Sequence, residues 1–111
     1  QIDNHTIESI EDVCRVLTVL YYGGTFYAKI KEYDTSDVLL RRGITICSEN
    51  HVTYYLARIK YLQAENAYVN DASSEEVKEL MRDAAAFARV NKNTVLLEKI
   101  KVFKELVAKG E

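Results

Sequence analysis

The sequence predicts an all-α protein, a compact antiparallel bundle of about five helices that forms one domain over residues 1–111. The first observation behind this prediction is composition, because the chain has no proline and only four glycines, the two residues least compatible with helices. The second is that apolar residues recur at the spacing of amphipathic helices. The third is that polar capping residues separate these stretches by short connections, which favour antiparallel neighbours.

The first predicted helix runs from about Thr6 to Glu32 and contains the pair Gly23–Gly24. Each glycine costs a helix about 1 kcal/mol relative to alanine, so the pair predicts a kink or a break. Apolar residues keep helical spacing on both sides of the pair, namely Ile10, Val13, Cys14, Leu17, Leu20, Phe26, Tyr27 and Ile30.

The second helix is predicted to begin at Thr35 or Ser36, because hydroxyl side chains suit the N-cap position. Asp37 would then lie in the positively polarised first turn, where a carboxylate is stabilising. Gly43 lies among the apolar positions of this helix and would let a neighbouring backbone come close. The apolar side is expected to comprise Leu40, Ile44 and Cys47.

Capping residues also delimit the remaining three helices. The third helix is predicted from His51 to about Val69. Ser73 and Glu76 have the spacing of a capping box, so the fourth helix should begin at Ser74. Asn93 is the predicted cap of the fifth helix, which is expected to end at Lys109–Gly110.

Charge is distributed unevenly along the chain, whose formal net charge is −2. Residues 15–64 carry seven bases against four acids, and residues 84–111 carry six bases against three acids, so each segment has a charge of +3. Such blocks are typical of a protein with one basic and one acidic side, and equally of helices that pair their charges with neighbours. A free-standing nucleic-acid binder would normally be more basic.

The sequence lacks the residue patterns of an enzyme or a metalloprotein. No nucleophile motif, phosphate-binding glycine loop or metal-ligand cluster occurs, and we expect no catalytic activity and no cofactor. Cys14 and Cys47 are far apart in sequence and are expected to be buried free thiols of an intracellular protein. No apolar run reaches the roughly 20 residues of a membrane span, so a cytoplasmic protein without membrane contact is expected.

Eight tyrosines make up most of the aromatic content. Stacking on nucleic-acid bases is one use of such side chains. We favour the alternative, in which tyrosine fills the edge of the core and meets partner proteins, because its ring packs while its hydroxyl group stays hydrated.

The order of the segments resembles the small helical subunit of type III-A (Csm) CRISPR effector complexes. The resemblance covers about residues 26–110 and lies in FYAKIKEYDTSDVLLRRG, then YYLARIKYLQAE, an acidic-start helix and LLEKIKVFKELVAKG. The resemblance implies a non-catalytic subunit of an antiviral ribonucleoprotein. Several copies of this subunit would be present, associated with one another and with other subunits. The subunit would touch the backbone of target RNA or guide–target duplex without reading bases. The matching RNA-binding positions would be Arg41, Arg42, Arg58 and Lys60.

Helical geometry limits how these four residues can cooperate. Arg41 and Arg42 point about 100° apart on one helix, and Arg58 and Lys60 point about 200° apart on the next. A joint phosphate site therefore requires the second and third helices to bring Arg41 or Arg42 beside Arg58 or Lys60.

Two other functions are compatible with the same sequence. A helical-repeat scaffold, resembling a tetratricopeptide-like interaction domain, would suit antiparallel helix pairs and the alanine-rich stretch DAAAFA, although no period of about 34 residues emerges. The second alternative is a dimeric bundle whose tyrosine-rich side binds a second copy of itself.

Overall fold

A computed structural model describes residues 10–110 and shows five α-helices. They are α1 (Ile10–Lys29), α2 (Tyr33–Asn50), α3 (Tyr54–Val69), α4 (Ser74–Val90) and α5 (Thr94–Lys109). No strand occurs within this described part of the chain. The prediction of an all-α, five-helix bundle is confirmed.

The helices are arranged in two layers. Each helix packs against the next one along the chain, and in addition α1 contacts α3 and α3 contacts α5, whereas within residues 10–110 no backbone contact joins α2 to α4. The molecule measures 45 × 31 × 19 Å, and its short dimension equals about two helix diameters. One layer therefore contains α1, α3 and α5, which we call the odd-helix layer, and the other contains α2 and α4.

Helix α3 is shared by two clusters of buried side chains. The first cluster lies among α1, α2 and α3 and consists of Val13, Leu17, Leu20, Leu40, Ile46, Cys47, Leu56 and Ile59. The second lies among α3, α4 and α5 and consists of Ala57, Ala64, Val77, Met81, Ala84, Ala85, Ala88, Leu96, Ile100, Phe103 and Val107. Half-buried Phe87 packs against both clusters. The apolar core thus runs lengthwise through the layered stack.

The glycine pair does not break α1, so a break, one of the two outcomes predicted for it, does not occur. The helix is continuous through Gly23 and Gly24, and the pair serves packing. A Cβ atom added at Gly24 would lie 2.7 Å from Leu40 Cδ2, and one at Gly23 would lie 3.0 Å from Leu39 Cδ1. The missing side chains therefore let the leucines of α2 lie directly on α1.

Four predicted helix starts are corrected or confirmed by the structure. Helix α2 begins at Tyr33, before Thr35 and Ser36, and α3 begins at Tyr54 rather than His51. The start of α4 is as predicted, with the Glu76 backbone N–H donating to Ser73 Oγ. The start of α5 is also confirmed, because Asn93 Oδ1 accepts a hydrogen bond from the Leu96 N–H. The predicted residues Thr6–Ser9 of the first helix lie outside the described residues.

Ser36 forms a buried polar contact among three helices instead of a cap. Its hydroxyl group donates to the Gly24 carbonyl oxygen of α1 at 2.7 Å. Asn66 Nδ2 of α3 donates to the same Ser36 Oγ at 3.0 Å. Ser36 is 0% and Asn66 6% exposed, and each would lose hydration without a partner. This chain of hydrogen bonds fixes the relative positions of α1, α2 and α3.

Helices α1 to α4 all end in the same backbone conformation. One residue per turn adopts a left-handed conformation, namely Lys31, His51, Asp71 and Lys92, with φ between 55° and 65°. The residue after each donates its N–H to the carbonyl oxygen five positions earlier, as in Asn93 to Ala88. This is the Schellman ending, which usually has glycine at the left-handed position.

Replacing Lys92 with glycine is expected to raise the free energy of unfolding by about 0.5–1 kcal/mol. A left-handed conformation costs an ordinary L-residue about 1–2 kcal/mol, and the greater flexibility of unfolded glycine offsets part of that gain. Lys92→Ala, which removes the long side chain but keeps the Cβ atom, is the matched control and should give no such increase. Urea denaturation of the three proteins would measure the difference, and equal stability of both variants would contradict the role of backbone strain.

The two cysteines have different environments, which corrects the prediction that both are buried. Cys14 is exposed, whereas Cys47 is 1% exposed. Burial raises the pKa of the Cys47 thiol to about 11, with a smaller contribution from Cys14. The thiolate is the reactive form, so the buried thiol is both inaccessible and protonated at neutral pH.

A disulfide reagent such as DTNB is expected to modify one thiol per folded chain rapidly at pH 8 and a second only in denaturant. The reacting residue should be Cys14, and Cys14→Ser should abolish the rapid phase while Cys47→Ala leaves it intact. Rapid release of two equivalents from the folded wild-type protein would show that Cys47 is accessible.

Candidate functional site

The odd-helix layer carries an open groove, which we call the polar groove. Its volume is about 600 Å³, within the range of ligand-binding clefts. All three odd-numbered helices contribute to it, because they lie side by side. The lining residues are Tyr21 and Thr25 of α1, Arg58, Tyr61, Leu62 and Glu65 of α3, and Asn93, Val95, Leu96 and Lys99 at the start of α5.

Arg58 is held on one wall of this groove by aromatic residues. Its Nη2 donates a hydrogen bond to the Tyr54 hydroxyl group, one helical turn earlier. Its guanidinium carbon lies 4.7 Å from the centre of the Tyr54 ring and 6.0 Å from that of Tyr21. Cation–π contacts of this kind orient a guanidinium group without neutralising its charge.

Tyr61 and Glu65 occupy the middle of the same groove, one turn apart on α3. Burial, together with the nearby Glu65 carboxylate, raises the pKa of Tyr61 to about 12. Burial also raises the pKa of Glu65, while the Tyr61 hydroxyl group and Lys99 partly oppose that shift. Both groups are therefore partly removed from water on a surface that is otherwise open.

A second, apolar cleft adjoins the polar groove along α5. Its volume is also about 600 Å³, and it shares four residues with the polar groove: Tyr61, Glu65, Val95 and Lys99. The other lining residues are Glu98, Val102, Phe103 and Leu106. Tyr61 packs edge-on against Phe103, so the ring separates the cleft from the groove without closing it. Val95, Val102 and Leu106 are more than half exposed and form an apolar line beside the cleft.

Among the four predicted RNA-binding residues, the structure places Arg58 apart from Arg41 and Lys60. Arg41 and Arg42 are both exposed on α2, and Arg41 forms an ion pair of 2.7 Å with Asp37, one turn earlier. Arg41 lines a different groove, of about 300 Å³, between α2, α3 and α4. Three carboxylates, of Asp34, Asp37 and Glu76, line that groove too, so its charge does not favour a phosphate group.

The two basic residues of α3 point to different sides. Arg58 faces α1 and α5 in the polar groove, whereas Lys60 faces α4, where its Nζ lies 3.9 Å from Asp83 Oδ2. This agrees with the angle of about 200° expected between the two positions. The layered packing therefore brings neither Arg41 nor Lys60 to the groove that contains Arg58.

The tyrosines lie where the sequence predicts, at the edge of the core. Six of the eight are half-buried, and Tyr22 and Tyr54 are exposed. Three of these rings line or border the polar groove: Tyr21, Tyr54 and Tyr61. The sequence pattern did not indicate Glu65 or Lys99, and it indicated Asn93 only as a helix cap, because nothing local shows that α1, α3 and α5 are neighbours.

Helix α1 also presents an apolar stripe on its outer side. Four of its side chains are each more than half exposed and follow one another at helical spacing: Val19, Tyr22, Phe26 and Ile30.

Within residues 10–110, no three histidine, cysteine or acidic side chains are grouped so that they could hold a metal ion. No helix in this part of the chain is long and apolar enough to cross a membrane.

Comparisons with protein-family models, with curated proteins and with solved structures gave no match for this chain.

Proposed function

We propose that the protein is a non-catalytic, helical-repeat-like scaffold that binds a segment of a partner protein across the odd-helix layer. The observation that supports this proposal is the continuous concave surface formed by the polar groove and the apolar cleft. Side chains from three sequentially distant helices line it, and exposed aliphatic and aromatic groups lie beside fixed polar ones. This combination is typical of surfaces that recognise protein segments.

The layered stack suits such a role physically. Each helix packs mainly on its sequence neighbours, so one face of the stack can be devoted to binding while the core runs behind it. The line of Val95, Val102 and Leu106 would gain contacts with a partner without any rearrangement of the core. Tyrosine and arginine, which are enriched at the centres of protein interfaces, are both present in the groove.

Co-purification of native partners with Val102→Asp is the experiment that tests this proposal. The substitution places a charge in the apolar cleft and should remove any partner that wild type retains. Val38→Asp is the matched control, because Val38 is 65% exposed on α2 and Val102 58% exposed on α5. Circular dichroism should show both variants folded. Retention of the same partners by Val102→Asp would contradict binding through the odd-helix layer.

A second candidate function is the RNA-backbone contact of a CRISPR effector subunit. The exposure of Arg41 and Arg42 on α2 supports it, since both side chains are accessible to a phosphate backbone. Repeated copies along an assembly would multiply such a weak contact. The nearby carboxylates and the separate location of Arg58 and Lys60 weigh against a single phosphate site.

The RNA candidate predicts weak binding of single-stranded RNA or guide–target duplex, without sequence preference and steeply dependent on salt. A gel-shift at low salt measures it, with the double reversal Arg41→Glu/Arg42→Glu as the test variant. The double reversal Arg82→Glu/Arg89→Glu, at two exposed positions of α4, controls for the same loss of positive charge. Unchanged binding by the double variant would remove these two residues from the site, and no binding by wild type with its co-purified partners would exclude the candidate.

A further inference from the structure

We propose that the polar groove binds a carboxylate group of the partner segment, and that the adjoining cleft binds a neighbouring aliphatic side chain of the same segment. The preferred partner is then an acidic protein segment in which Asp, Glu or a chain terminus stands close to Leu, Ile or Val. This inference rests on the proposed scaffold function and specifies the chemistry of its ligand.

Two cations face the polar groove from different helices. Arg58 extends from α3 and Lys99 from α5. Among the described residues, neither cation has a carboxylate oxygen within 4.0 Å, in contrast to Arg41. The contacts of Arg58 are to the hydroxyl group of Tyr54 and to two neutral rings, which leave its charge unpaired. A guanidinium group held in this way is ready to form hydrogen bonds with a carboxylate.

Uncharged hydrogen-bond donors in the polar groove also favour a carboxylate ligand. Asn93 lines the groove, and its Oδ1 already accepts the Leu96 N–H at the start of α5. The amide hydrogens of Asn93 are therefore left for another acceptor. The hydroxyl group of Tyr21 also belongs to a lining residue, whereas that of Tyr61 is already hydrogen-bonded to Glu65.

Glu65 is the single acidic residue among those that line the polar groove. Arg58, two turns earlier on the same helix, and Lys99 of α5 also line the groove, so the lining side chains favour a negatively charged group over a positively charged one.

The adjoining cleft decides between a protein segment and a nucleic acid. Val95, Val102 and Leu106 offer no partner to a phosphate backbone there, and Glu98 disfavours any anionic group in the cleft itself, so the carboxylate of the segment must lie in the polar groove. These groups oppose a phosphate backbone but accept an aliphatic side chain. The combination of a cationic groove and an apolar cleft therefore fits an acidic, aliphatic peptide better than RNA.

Selection from a phage-displayed library of random peptides, with the complete chain as bait, tests the inference. The expected result is enrichment of peptides that pair Asp or Glu with an aliphatic residue. Enrichment of basic or uncharged peptides would overturn the inference while leaving the scaffold function intact. Failure to enrich any peptide would count against both. Binding of a fluorescent oligouridine that is lost in Arg58→Ala would overturn the inference in favour of nucleic acid.

The selected peptide should then be titrated by fluorescence anisotropy. Replacing its acidic residue with the matching amide should weaken binding at least about tenfold, because a charge-assisted hydrogen bond is lost. Lys99→Ala and Arg58→Ala should each give a loss of similar size, and Arg58→Lys should give a smaller one. Arg82→Ala on α4 is the control for charge and should bind as wild type does. Equal affinity for the acidic peptide and its amide form would overturn carboxylate recognition.

Discussion

Replacing Ser36 with alanine is expected to lower the free energy of unfolding by about 2–3 kcal/mol. The substitution removes the hydroxyl group that accepts from Asn66 Nδ2 and donates to the Gly24 carbonyl oxygen, all in the interior of the stack. A buried amide left without a partner loses its hydration with no compensation, at a cost of about 1–3 kcal/mol. Denaturant unfolding followed by circular dichroism measures the change.

A double-mutant cycle separates this contact from simple loss of volume. Asn66→Ala alone should also be destabilising, but the double variant Ser36→Ala/Asn66→Ala should lose less than the sum of the two, because the unpaired amide is no longer present. Asn70→Ala on the exposed end of α3 is the control and should change stability by less than about 0.5 kcal/mol. Strict additivity would show that Ser36 and Asn66 act independently.

Replacing Gly43 with alanine is expected to lower the free energy of unfolding by about 1–2 kcal/mol. The new Cβ atom would lie 2.8 Å from Ile59 Cδ1, and Ile59 is fully buried, so the clash has little room to relax. Overpacking of this kind costs about 1–3 kcal/mol, which outweighs the gain of about 1 kcal/mol in helix propensity.

A second substitution should rescue that variant. Ile59→Val removes the clashing Cδ1 atom, costs about 1 kcal/mol by itself, and should make Gly43→Ala neutral or stabilising. Gly23→Ala is a natural comparison, because its Cβ would approach half-buried Leu39, which can move aside. That variant is expected to be slightly more stable than wild type. If Gly43→Ala is equally destabilising with valine or isoleucine at position 59, the contact with Ile59 is not the cause.

Much of the fold follows from local sequence signals. The caps at Ser73 and Asn93 were predictable because each bond links a side chain to a backbone group three residues away. Helix spacing likewise identifies most of the buried apolar residues. The predictions that the structure contradicts concern contacts between residues that are far apart in the sequence. Ser36 resembles a cap in sequence, but Gly24 and Asn66 bury it, and neither is close to it along the chain.

The candidate site was less predictable for the same reason. The line Arg58, Tyr61 and Glu65 on α3 is visible at helical spacing, but its meaning depends on Tyr21 from α1 and Lys99 from α5. Those residues come together only because successive helices lie in alternate layers, which makes α1, α3 and α5 neighbours. Arg41 and Arg42 stand out in sequence because they are adjacent, whereas the structure gives Arg41 a nearby acidic partner in Asp37.

The passage of the core through α3 has a mechanical consequence. Within the described residues, the backbones of α1 and α2 do not touch those of α4 and α5, so the two helix pairs are connected through one central helix and the side chain of Phe87. Flexing about α3 is then the deformation that disturbs the fewest contacts. Such flexing would alter the curvature of the odd-helix layer, so a bound segment of suitable size would also stiffen the molecule.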